Sequence, residues 1–312
     1  MNQEQQRLID PVWKKWGPYV SDRQWGTVRE DYSENTNTWE AVTYDMARSY
    51  AYRWGEDGIG GICDENQLLC FALAFWNKKD PILKERFFGL TGPRGNHGED
   101  VKELYYYLDS SPAHAYMKML YKYPQAAFPY EQLYVENDRR SRLEPEYELT
   151  DTGIFDEHRY FDIFIEYAKA NPDDLLIKVS VVNRGPEKAA ISVLPTLWFR
   201  NTWAWGNDDY RPEMSAAGKT TISIRHQKMG DYFFYSEGDG NLLFCDNDTN
   251  QRRFFGKKGL PVFAKDGIND YIVNRRRGAI NRRNTGTKAA VHYDLVVNPG
   301  ETITLKMRLS KE

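Results

Sequence analysis

From residue 161 onward the chain alternates apolar and polar side chains, and that alternation limits its fold more than any other feature. Phe161, Ile163, Ile165 and Tyr167 interleave with Asp162, Phe164 and Glu166. Ile177, Val179 and Val181 interleave with Lys178 and Ser180, and Ile303, Leu305, Met307 and Leu309 with Thr302, Thr304, Lys306 and Arg308. A period of two places one face of a strand in a core and the other in water. Between these runs stand NPDD, NRGPE, GDGN, DNDTN and NPGE, which supply the Gly, Asn, Asp and Pro that short β connections need. The pattern predicts an antiparallel sandwich.

Before residue 146 the texture differs. LLCFALAFW (68–76) is an unbroken apolar run, suited to a strand buried on both faces, and ELYYYLDS and AYMKMLYKY read as further strands. Helical segments are expected over Gln3 to Trp16, Tyr44 to Tyr52 and Tyr130 to Arg142. The change of texture near residue 66 divides the chain into a mixed N-terminal arm (1–66) packed on a β-sandwich (67–312), the two forming one structural unit.

Bulk charge narrows the partners. With 42 basic and 45 acidic residues the net charge is −3, too little field to grip phosphates, so no nucleic-acid ligand is expected. Cys63, Cys70 and Cys245 form neither a disulfide framework nor a metal-binding CxxC pair, which fits a reducing compartment. The start lacks an apolar signal core and no run of about 18 apolar residues occurs, so a soluble cytoplasmic protein without a membrane partner is expected. The five histidines are scattered, DNDTN lacks the glycine and distant glutamate of a calcium loop, and the glycine-rich pieces match no phosphate cradle. No cofactor or metal is expected.

Residues 83 to 128 mix aromatics, charges and glycines as a carbohydrate-contacting surface would, because sugars offer hydroxyls to polar groups and C–H faces to rings. Glycoside hydrolysis needs two carboxyl groups across the scissile bond. Glu56–Asp57 and Glu99–Asp100 are the candidates. Neighbours on an extended segment point to opposite faces, so neither doublet serves alone, although one member of each can meet across a cleft. LWFRNTWAWG sets Trp198, Trp203 and Trp205 around Arg200, a group able to stack on a sugar or on a neighbouring domain.

Six segments, in order, carry a resemblance: RQWGTVREDYS (23–33), YRWGEDGIGGICDENQ (52–67), DPILKERFFGLTGPRGNHGEDVKE (80–103), YMKMLYKYPQAAFPY (116–130), LPTLWFRNTWAWG (194–206) and GTKAAVHY (286–293). Together they resemble the amino-terminal part of bacterial glycoside hydrolase family 63-like proteins, relatives of mannosyl-oligosaccharide glucosidase. The resemblance implies a mainly β fold, an antiparallel β-supersandwich with a few short helices, preceding an (α/α)6 barrel that holds the acid and base of an inverting α-glucosidase. No helical periodicity for such a barrel occurs here, so this chain is expected to be non-catalytic and to pack on the α-helical catalytic domain of the same polypeptide. The expected contacts with a glucose-containing oligosaccharide are Arg94, Asn96, His97, Glu99 and Asp100. The interface or orienting groups are Trp25, Glu56, Asp57, Trp203 and Trp205. A freestanding carbohydrate-binding module built on Trp203 and Trp205, and a self-contained glycosidase using Glu56 or Asp57 with Glu99 or Asp100, are the alternatives. An uncovered interdomain face would drive self-association.

Overall fold

The computed structural model describes residues 1–20, 42–51, 58–90, 100–206, 210–256 and 262–311. The chain is mainly β, as the alternation predicts. Its strands are β1 (Trp16–Gly17), β2 (Ile59–Asp64), β3 (Leu69–Trp76), β4 (Gly89–Leu90), β5 (Asp100–Val101), β6 (Leu104–Ser110), β7 (Tyr116–Pro124), β8 (Tyr160–Asn171), β9 (Asp174–Asn183), β10 (Ala189–Phe199), β11 (Glu213–Ala216), β12 (Thr221–His226), β13 (Gly230–Ser236), β14 (Asn241–Cys245), β15 (Thr285–Gly286), β16 (Lys288–Val297) and β17 (Thr302–Ser310). Neighbours pair antiparallel. One sheet of six strands runs β1-β2-β3-β10-β16-β14, a second of nine runs β15-β11-β12-β13-β17-β9-β8-β7-β6, and β4 pairs with β5.

The described helices are short: α1 (Gln3–Ile9), α2 (Tyr44–Ala47), α3 (Tyr130–Arg139), α4 (Gln251–Phe255) and α5 (Gly267–Ile272). The first falls short of the expected Trp16 because Pro11 lacks an N–H and holds Asp10 extended at φ −85° and ψ 107°. A 3-10 turn over Pro11–Lys14 follows. Segment 1–66 supplies β1 and β2, so the arm is woven into the six-stranded sheet.

The core lies between the sheets. Ile163, Ile165 and Tyr167 of β8 sit opposite Val181, Val179 and Ile177 of β9, which in turn sit opposite Ile303, Leu305 and Met307 of β17. This layer meets Leu69, Phe71, Leu73 and Phe75 of β3 and Val291 and Tyr293 of β16 in one cluster. As the unbroken run predicts, β3 is also covered behind: Cys70 and Ala72 pack with Val20, Cys63 and Trp198, and Ala74 lies in a cluster with Leu194, Leu243 and Ile268 of α5. All three cysteines are free and buried, and burial pushes the Cys245 thiol up to about 12.

Candidate functional site

The connection from β3 to β4 and the residues around β5 build a belt of buried charges. Successive side chains on extended backbone diverge, and Lys84 and Glu85 do so here. Lys84 Nζ donates to Glu103 Oε1 at 2.6 Å with both side chains fully buried, while Lys288 Nζ of β16 donates to Glu85 Oε1 at 2.7 Å. Lys102 Nζ lies 2.8 Å from Glu146 and donates to Glu148 at 3.0 Å. Aromatic rings surround the Lys84 ammonium: Phe128, Tyr130 and Tyr44 have centroids 3.6, 4.7 and 5.4 Å away.

Glu103 is satisfied further by the Phe88 N–H and the Tyr121 hydroxyl, each at 3.0 Å. Asp80 accepts from the Tyr123 hydroxyl and the Phe128 N–H, both at 2.5 Å. Burial opposes a charge on Lys84, yet the neighbouring Glu103 carboxylate outweighs it and raises the ammonium pKa; burial likewise raises the Glu103 carboxyl. A buried pair supported by extra hydrogen bonds offsets its desolvation, and removing one member strands the other. The belt is therefore a fixed part of the fold.

Two backbone joints tie the flanks of the sequence-predicted loops to this belt. The Gly58 N–H donates to Glu85 O at 2.5 Å, and Leu90 of β4 pairs with Asp100 of β5. Gly58 takes φ +96°, and a Cβ there would stand 2.1 Å from that of Ala72, so only glycine fits. Arg94, Asn96, His97, Glu99, Trp25, Glu56 and Asp57 lie outside the described residues. Asp100 contributes its backbone to β5, and Trp205 ends the 3-10 turn Trp203–Trp205.

Trp203 is half-buried and forms a second polar cluster. Its Nε1 donates to Asp248 Oδ1 at 2.8 Å, and the Arg211 guanidinium lies over its ring at 5.3 Å. Arg211 bridges Asp246 at 2.9 Å and Asp248 at 2.8 Å, and Asn201 donates to Asp248 at 2.9 Å. Burial disfavours the Arg211 charge, but Asp248 and Asp246 outweigh it and hold the pKa above its ordinary value. The cluster borders a cavity of about 630 Å³ lined by Ala204, Gln251 and Thr287. Trp203 thus has one face taken by Arg211, while Trp198 is a core residue. DNDTN forms a connection, and its Asn250 caps α4.

Sequence reasoning missed Lys84, Glu85, Lys102 and Glu103. Their signal is the charge embedded among apolar residues in DPILKERFF and DVKE. Among the described residues no group of three His, Cys, Asp or Glu side chains forms a metal site, and no helix is long and apolar enough to cross a membrane.

No family model matches the chain. The uncharacterized protein YMR196W of Saccharomyces cerevisiae is 39% identical over 343 aligned positions, which cover 98% of this chain and 32% of the yeast protein. The chain thus spans about a third of the length of the curated relative it matches. Among solved structures, the polysaccharide lyase BACCELL_00875 aligns with a TM-score of 0.34 and 14% identity over 76% of this chain and 25% of its own. An aldose 1-epimerase-like protein of Escherichia coli K12 aligns with a TM-score of 0.33 and 8% identity over 66% of this chain and 67% of its own. Both overlaps are too loose to carry an argument.

Proposed function

We propose that this chain is the non-catalytic β-sandwich domain of a longer glycoside hydrolase family 63-like α-glucosidase. It packs on an α-helical catalytic domain of the same polypeptide and helps to shape a pocket for a glucose-containing oligosaccharide. The carrying observation is the commitment of the carboxylates around the described part of the site. Glu85, Glu103, Glu146, Glu148, Asp246 and Asp248 are each bound to a lysine or arginine. A hydrolase needs one carboxyl group protonated and a second ready to activate water or attack. These six are arranged to hold the fold.

Three further points support this reading: the six ordered motifs, the match to a third of a longer relative, and the joints at Gly58 and Leu90. In this reading Arg94, Asn96, His97, Glu99 and Asp100 are rim contacts, and Trp25, Glu56 and Asp57 are interface or orienting groups. Three buried free thiols are compatible with a cytoplasmic setting. The test is glucose release from α-linked gluco-oligosaccharides by the purified 312-residue chain and by the full-length yeast relative. The account expects release by the full-length protein and none by the chain. Release by the chain, abolished by Glu99→Gln, would overturn it.

A further inference from the structure

The outer face of the nine-stranded sheet carries a groove apart from the belt. Strand register lines up Tyr116 of β7, Ala168 of β8, Leu176 of β9, Arg308 of β17 and Tyr235 of β13 in one row across the sheet. The adjacent row is Lys118, Glu166, Lys178 and Lys306. At the usual spacing between strands the two tyrosines stand about 19 Å apart. Between them lie the small Ala168 and the half-exposed Leu176, so the row is aromatic at its ends and low at its centre. The groove has a volume of about 700 Å³.

Four of its polar side chains, Tyr116, Glu166, Lys178 and Arg308, already have partners. The Tyr116 hydroxyl donates to Glu166 Oε1 at 2.8 Å, and Lys178 Nζ lies 2.7 Å from Glu166 Oε2. Arg308 grips Asp174 with two parallel hydrogen bonds of 2.7 and 2.8 Å. Side chains already fixed lose little rotamer freedom on binding. Glu166 and Asp174 interrupt the basic groups, which disfavours a polyanion. Rings and an apolar floor flanked by fixed donors and acceptors match the two-sided chemistry of a sugar, apolar on its C–H faces and polar at its hydroxyls. The length suits an extended chain rather than a single ring.

We propose that this groove binds a linear neutral oligosaccharide laid across β7, β8, β9, β17 and β13. Tyr116 and Tyr235 stack at its two ends, Leu176 supports its middle, and Glu166, Lys306 and Arg308 engage its hydroxyls. The site belongs to this chain alone and needs no catalytic half, so its failure is separable from that of the α-glucosidase reading. The test is calorimetric titration of the 312-residue chain with maltohexaose and, separately, cellohexaose. Saturable binding of at least one is expected, weakened roughly tenfold by Tyr235→Ala, as for the loss of one aromatic contact. Lys306→Met, which alters an exposed side chain, should weaken it about threefold, equivalent to a single modest hydrogen bond. Binding of neither sugar, or binding unchanged by both substitutions, would overturn the proposal.

Discussion

The belt and the outer face of the nine-stranded sheet use the same chemistry in opposite surroundings. Lys84–Glu103 and Lys178–Glu166 are lysine–glutamate pairs of nearly equal length, 2.6 and 2.7 Å, each reinforced by a tyrosine hydroxyl. The first pair is wholly buried; Lys178 is 46% exposed and Glu166 16%. Burial makes the first pair obligatory, because neither charge can turn to water. Exposure leaves the second cheap to break and open to a ligand. One arrangement therefore serves the scaffold in one place and recognition in the other.

The sharpest way to break this contrast is Lys84→Met. It leaves the Glu103 carboxylate buried without its cation and is expected to cost about 3–5 kcal/mol in urea unfolding. A loss below about 1 kcal/mol would mean that water reaches the belt. Next in size is an acid effect on the six-stranded sheet. Burial, with Lys78 nearby and only Asp294 opposing it, lowers the His292 imidazole from 6.5 to about 4, while its Nε2 lies 2.8 Å from Ser192 Oγ. The unfolded chain takes up the proton first, so the stability that this histidine contributes above pH 6.5 drains away as the pH falls towards 4. Thermal melts should show that slope, and His292→Gln should flatten it. Smallest is Lys178→Met on the open face, with less than about 1 kcal/mol expected in the same urea assay.

Legibility in the sequence follows the same division. Strands β8, β9 and β17 could be read from their alternation because one of their faces is wet. β10 hides: buried on both faces, it has no period, and Pro195 in a central strand argues against a strand at all. β3 escapes this only through the length of its apolar run. The belt was invisible because charged residues in a sequence read as solvated, and only the partners Glu103 and Lys288 explain why Lys84 and Glu85 lie inside. The sequence sets Trp203 beside Arg200, whereas Arg211, from a different segment, lies over its ring. The row from Tyr116 to Tyr235 depends on the register of five strands, which no local pattern encodes.

That the sheet's open face receives a ligand while the belt stays sealed can be watched in one experiment, fluorine NMR of the chain labelled with 3-fluorotyrosine and titrated with maltohexaose. The signals of Tyr116 and Tyr235 should move together to saturation, while those of the fully buried Tyr121 and Tyr123 stay fixed. Stationary signals from Tyr116 and Tyr235, or movement of the buried pair instead, would contradict the account.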